Sequence, residues 1–214
     1  MKVLITGTSK GIGRCIALKF LKEGYSVIGF DVLESSINNP LYKHYIVDVR
    51  SNDLPEIDDV YILINNAGIQ SNTMDDIDVN LKGLINICEK YAFQKTIKSI
   101  VNLASVSGTN GCEFPIYSAS KGGVLSYTKN LSGRLNKATV NSISFGGVIT
   151  ESNNHVIQND KLYRDSLNET IMGKWISEEE CAEWVYFLTV INKSMTGQDI
   201  IIDNGEIVKS NFVW

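Results

Sequence analysis

The sequence predicts an α/β fold, a doubly wound and mostly parallel seven-stranded sheet with helices on both faces. Short apolar runs alternate with longer stretches of helical spacing along the whole chain, the pattern of repeated βαβ units. The first apolar run is closed by three glycines and followed at once by an amphipathic helix, the turn that such sheets carry after their first strand. No repeat, low-complexity tract or linker interrupts the pattern, and there are only three prolines in 214 residues. Residues 1–214 therefore read as one domain.

Residues 2–6 are a buried strand, and Gly7, Gly11 and Gly13 form the turn after it. Ile16, Ala17, Phe20 and Leu21 have helical spacing, which predicts a helix over 11–23 with Gly24 ending it. A glycine turn between strand and helix lets the backbone approach a diphosphate, and the helix N-terminus offers it unpaired N–H groups. The spacing here is G-x-x-x-G-x-G. A second strand, 26–30, leads to Asp31. An acid about 20 positions beyond the glycines accepts hydrogen bonds from the adenosine ribose and repels a 2′-phosphate. Asp31 thus argues for NAD over NADP, with Lys10 in the turn as the opposing signal.

Further strands are expected at 45–47, 61–64, 99–103, 139–143 and 199–202, with helices at 75–93, 115–135 and 177–191. Ser177 and Glu180 have capping-box spacing and mark the start of the last helix. In a sheet of this kind ligands bind at the carboxyl ends of the strands, where Gly7, Asn65, Ser105 and Gly146 all fall.

Tyr117 and Lys121 are four residues apart on a predicted helix, so phenol and ammonium share a face. A cation beside a phenol favours phenolate, drawing its pKa down from about 10 and making it a general acid/base. Tyr91 and Lys95 have the same spacing, but they lie within an ordinary amphipathic helix and read as a solvated face. Tyr117 instead follows an apolar run that ends in Ser105.

Composition is compatible with a catalytic domain. The net charge is −4 with no basic block, which gives no reason to invoke nucleic acid or an anionic membrane. No apolar run approaches the ~20 residues of a membrane span, and the opening apolar stretch is too brief for a signal peptide. Cys15, Cys88, Cys112 and Cys181 are scattered, as expected of buried free thiols in a reducing cytoplasm. Neither His44 nor His155 is assigned a role, and no metal site is expected.

These motifs together resemble the compact branch of the short-chain dehydrogenase/reductase family over nearly the whole chain. The stretch Thr6-Gly7-Thr8-Ser9-Lys10-Gly11-Ile12-Gly13 is similar to the family's glycine motif. Asp48 and Val49 resemble its pair near the adenine, and Asn65-Asn66-Ala67-Gly68 the motif that ends the fourth strand. Asn80 stands at the position of the family's active-site Asn, Ser105 at its catalytic Ser, and Tyr117 and Lys121 at its Tyr/Lys pair. Gly146, Gly147, Val148, Ile149 and Thr150 resemble the nicotinamide-side stretch, with Phe145 where the family has proline. The chain is also short between Asp31 and Asn80, which predicts peripheral helices reduced to turns on a Rossmann-type fold.

The resemblance implies an NAD(H)-dependent oxidoreductase that moves a hydride between nicotinamide and an alcohol or ketone. Tyr117 would supply the proton, Ser105 a hydrogen bond to the reacting oxygen, and Lys121 contacts to the nicotinamide ribose. Asn80 would anchor a water linking Lys121 to solvent. The cofactor contacts implied run through Gly7, Ser9, Lys10, Gly11, Ile12, Gly13, Asp31, Asp48, Val49, Asn65, Asn66, Ala67, Gly68, Val148, Ile149 and Thr150, besides Tyr117, Lys121 and Gly146. A non-catalytic dinucleotide-binding sensor or scaffold is the alternative. The loop 106–114 and the segment 151–175 should line the substrate pocket, the latter as a mobile lid or as an amphipathic helix on the sheet. Family members usually pair through the helices carrying Asn80 and Tyr117. Here those helices carry Ile77, Leu81, Leu84, Ile85 and Cys88, and Val124, Leu125, Thr128, Leu131 and Leu135. A homodimer or homotetramer is expected, with the apolar tail 211–214 packed against protein.

Overall fold

The computed structural model describes residues 1–112 and 114–209. Its first half runs β1 (Lys2–Thr6), α1 (Gly11–Lys22), β2 (Ser26–Asp31), β3 (Tyr42–Ile46), β4 (Val60–Asn65), α2 (Met74–Asp76), a π-helical segment (Ile77–Gly83) and α3 (Leu84–Tyr91). The second half runs β5 (Ser99–Leu103), α4 (Ser107–Asn110), α5 (Pro115–Arg134), β6 (Thr139–Phe145) and β7 (Val148–Ile149). A 3₁₀ turn (Glu151–Asn153), α6 (Asn154–Ile157), α7 (Asp160–Leu167), β8 (Ile176–Ser177), α8 (Glu178–Tyr186), a second π segment (Phe187–Ile191) and β9 (Asp199–Ile202) complete it.

Seven strands form one sheet in the order β3-β2-β1-β4-β5-β6-β9, and every pairing is parallel. Strand order reverses between β1 and β4, which opens a crevice at their carboxyl ends. One face of the sheet is covered by α1, α8 and the second π segment through Ile16, Phe20, Cys181, Val185 and Leu188. The other is covered by α3 and α5 through Leu84, Ile87, Tyr91, Val124 and Leu131. The central strands are buried on both faces, so they read as continuous apolar runs. The capping box at Ser177 forms as expected, its hydroxyl accepting from Glu180 N–H and the Glu180 carboxylate from Ser177 N–H.

Several expectations need correction. The third strand is Tyr42–Ile46, not 45–47. It is an edge strand with no fully buried residue, so its apolar signal is diluted by Lys43 and His44. No helix occurs between β2 and β4, in line with the shortened periphery. The loop carbonyls there are satisfied by side chains from α3 and the turn after it: Asn86 Nδ2 donates to Val49 and Ser51, Gln94 Nε2 to Ile57. Tyr91, read as solvated, is 1% exposed, its ring beside Phe30 and its hydroxyl on Pro55 O at 2.6 Å. Lys95 lies beyond the helix end. Cys112 is exposed and Cys15 half-buried, against the expectation of buried thiols. In the 151–175 segment α6 and α7 contain no fully buried residue, and Val156, Ile157, Tyr163 and Leu167 form a half-buried face with Tyr163 against Trp175. The short β7–β8 ladder was not anticipated. The tail 211–214 and Glu113 in the pocket loop lie outside the described residues.

Candidate active site

The glycine turn is tied to the sheet at close quarters. A methyl group on Gly13 would stand 1.9 Å from Gly7 O and 2.3 Å from Asn66 Nδ2, so only glycine fits where α1 begins. Asn66 Nδ2 donates to the carbonyls of Thr6 and Gly7 at 3.1 and 2.9 Å, and Thr6 Oγ1 accepts from the amides of Asn66 and Ala67. Asn66 thus acts as a brace of the turn. Helix α1 has no side-chain cap at Lys10 and no acid in its first turn, so its leading N–H groups are available to an anion. This cradle fits the diphosphate of a dinucleotide.

Asp31 stands at the end of β2, where its carboxylate accepts from Ser9 N at 2.9 Å and Leu33 N at 3.0 Å. Two backbone donors fix its orientation beside the turn. Lys10 is exposed and Ser9 Oγ donates to Leu33 O. A signal missed in the sequence lies next to it. His44 Nε2 donates to Leu33 O at 2.9 Å, a group that can only accept, and Nδ1 lies 3.0 Å from the Tyr42 hydroxyl. Tyr42 in turn contacts Thr8 Oγ1 at 2.9 Å. His44 therefore anchors the loop after Asp31, a role that no local motif announces.

Asp48 is held by Arg50, whose guanidinium donates to both carboxylate oxygens and lowers the carboxyl pKa. Val49 is buried against Gly83. Asn65 turns its side chain into the core, donating to Asn102 Oδ1 at 2.8 Å. Asn102 continues to Thr128, and Asn65 Oδ1 has no partner among the described residues. At the crevice Asn65 can offer only its backbone. Phe145, the departure from proline, is buried at the end of β6, and its carbonyl accepts from Val106 N. Val148 is buried, while Ile149 and Thr150 border the groove toward α6.

The remaining four residues lie on the loop after β5, the π segment and α5. Ser105 Oγ lies 3.1 Å from Ser107 Oγ and accepts from Ser107 N–H at 3.2 Å. Lys121 is 6% exposed, donates to Leu103 O at 3.0 Å and lies 5.7 Å from the centre of the Tyr117 ring. Burial pulls its pKa down to about 8, with Asp76 acting in the opposite direction. Asn80 sits in the π segment, where an inserted residue turns its side chain off the regular helix track. Its amide grips Ile69 twice, accepting from N–H and donating to C=O at 2.8 Å, and donates to Ser120 Oγ at 3.0 Å. Ser120 Oγ passes the contact on to Tyr117 O. A methyl on Gly68 would stand 3.2 Å from Asn80 Oδ1 and 3.5 Å from Lys121 Nζ, so Gly68 marks the point where the two side chains converge. Sequence reasoning missed Ser107, which holds Ser105; Ser120, which links Asn80 to Tyr117 O; and Asp76, whose charge opposes the effect of burial on Lys121.

A family model described as short chain dehydrogenase matches residues 1–161. The chain belongs to the short-chain dehydrogenase family. It is an oxidoreductase of that NAD(P)-binding family. The 3-oxoacyl-[acyl-carrier-protein] reductase of Thermotoga maritima is 30% identical to this dehydrogenase-family chain, covering 96% of it and 97% of the relative. The enzyme of that name from Rickettsia prowazekii is 31% identical, with 96% of both chains covered. Among solved structures, a 4-hydroxyisoleucine dehydrogenase mutant complexed with NADH and succinate superposes with a TM-score of 0.89 at 24% identity, covering 99% of this chain and all of the other. The ligand-free aldohexose dehydrogenase of Thermoplasma acidophilum gives 0.87 at 24% identity, covering 100% and 96%. These structural likenesses establish the doubly wound fold. Among the described residues no helix is long and apolar enough to cross a membrane.

Proposed function

We propose that this chain is an NAD(H)-dependent oxidoreductase acting on an alcohol or ketone, with Tyr117 as general acid/base. The observation that supports the reading is the Lys121 ammonium beside the Tyr117 ring and on Leu103 O at the end of β5, with Asn80 facing it across Gly68 and Ser105 two residues beyond Leu103. The bound nicotinamide would supply or accept the hydride at carbon. The chain's own groups handle the oxygen and its proton. Tyr117 gives its phenolic proton to the substrate oxygen or takes it back. Ser105, with Ser107 N–H on one lone pair, directs its hydroxyl proton to that oxygen, a contact that strengthens as charge develops. Lys121 has one donor committed to Leu103 O and would hold the nicotinamide ribose with the others, beside Tyr117. Asn80, clamped on Ile69 and facing Lys121 across Gly68, would continue the proton path to solvent.

Asp31, fixed by two amides at the adenosine side, supports NAD over NADP through charge repulsion with a 2′-phosphate. Two relatives are named for reduction of a 3-oxoacyl carrier-protein thioester, which places 3-oxoacyl thioesters first among the ketones to assay. Exposed Leu162, Ile171 and Met172 on the lid segment offer apolar surface for such a chain. Tyr117→Phe tests the assignment. Turnover should fall by about 10²–10⁴-fold, the usual worth of a positioned acid/base, while NADH titrated into the variant still binds. Undiminished turnover in that variant would overturn the mechanism.

A further inference from the structure

Helices α1 and α8 pack side by side, and this brings a carboxylate to the glycine turn. Glu178, the first residue of α8 and half-buried, places Oε1 3.8 Å from where a Cβ on Gly11 would stand. Its Oε2 accepts from the Cys15 thiol at 3.4 Å. Burial and the Glu178 contact push the Cys15 pKa up to about 12, so the thiol keeps its proton and holds the carboxylate in place. Among the described residues no lysine or arginine forms an ion pair with Glu178. The nearby guanidinium of Arg14 directs Nε to Ser36. Thr150 and Glu151 line the same groove from the other side.

Gly11 opens α1, whose leading N–H groups lack a side-chain cap. A carboxylate there lends the positive end of the helix an anion of the chain's own. It also places negative charge beside the cradle proposed for a diphosphate. We infer that Glu178 sets the affinity for the dinucleotide, acting as a built-in anion that weakens diphosphate binding at Gly11 and speeds release of the spent cofactor. The inference rests on the dinucleotide reading of the glycine turn. Glu178 is an affinity-setting neighbour of the cofactor and not a catalytic residue. The capping box of α8 uses Ser177 and Glu180, so the charge can be removed without disturbing that helix start.

The test is titration of NADH into the unmodified protein, Glu178→Gln and Glu178→Ala, followed by nicotinamide fluorescence and by calorimetry, at low and high ionic strength. Both variants should bind NADH about three- to tenfold more tightly at low salt, the range expected for one partly solvated like charge within several ångströms. The gap should close as salt screens the repulsion, which a purely structural effect would not do. The conservative Glu178→Asp, which keeps the charge, should stay within about twofold of the unmodified protein. Equal affinity in all four proteins, weaker binding in Glu178→Gln and Glu178→Ala, or a gap indifferent to salt would overturn the inference while leaving the cofactor reading intact. Failure of the unmodified protein to bind either NADH or NADPH would overturn the cofactor reading, and this inference with it.

Discussion

Replacing Lys121 by methionine should remove turnover and, at neutral pH, raise rather than lower the stability of the protein without cofactor. Lys121 is 6% exposed, and its pKa falls from 10.5 to about 8 through loss of hydration. Each unit corresponds to about 1.4 kcal/mol, so holding the ammonium in this site costs about 3 kcal/mol. Methionine fills a similar volume without charge, but leaves Leu103 O without the donor it has at 3.0 Å, a loss of about 1–2 kcal/mol. The net gain expected at pH 7 is about 1–2 kcal/mol. The sign with pH is defined. Below pH 8 both folded and unfolded chains bind the lysine proton and the cost is constant. Between pH 8 and 10.5 only the unfolded chain binds it, so the unmodified protein gains stability as pH rises. Above 10.5 the cost has vanished. Urea unfolding of both proteins from pH 7 to 10.5, each also carrying Tyr117→Phe, isolates this group, because titrations of groups away from Lys121 cancel in the difference. The stability gap should move by about 3 kcal/mol toward the unmodified protein across that window. A gap that stays level with pH, or Lys121→Met already several kcal/mol less stable at pH 7, would refute the reasoning.

Three further outcomes are expected. Asp31→Ala should narrow the preference for NADH over NADPH by roughly tenfold in kcat/KM, since one like charge near a 2′-phosphate is removed. A preference for NADPH in the unmodified protein would show that Lys10 dominates. Gly13→Ala should abolish dinucleotide binding in a titration and lower stability by about 1–3 kcal/mol through overpacking, because its Cβ would meet Gly7 O at 1.9 Å. Light scattering at micromolar concentration should show a homodimer or homotetramer, given that Ile77, Leu81 and Ile85 stay only half-buried on the helix carrying Asn80. A monomer would remove that proposal.

The sheet was legible because its central strands are buried on both faces and therefore apolar without interruption, as in Val3, Leu4 and Ile5 or Ile62, Leu63 and Ile64. The edge strand Tyr42–Ile46 was misplaced because only one side of each of its residues meets the core. Tyr91 was misread because helical spacing alone does not say which face turns inward. Its burial depends on Phe30 and Pro55, which are distant in sequence.

The glycine turn and the Tyr117/Lys121 pair were legible as local patterns, glycine where a Cβ cannot fit and a phenol and an amine one helical turn apart, whereas the roles expected of Asn80 and Ser105 came from the family resemblance. Only the tertiary structure decided what surrounds them. The π segment that aims Asn80 at Ile69 and Ser120, the Lys121 contact to Leu103, the link from His44 through Tyr42 to Thr8, and the approach of Glu178 to Gly11 all join residues far apart in the chain. The physical reason is one of range. Turn and helix preferences act over a few residues, whereas burial, pKa and charge at the site depend on what packing brings within a few ångströms.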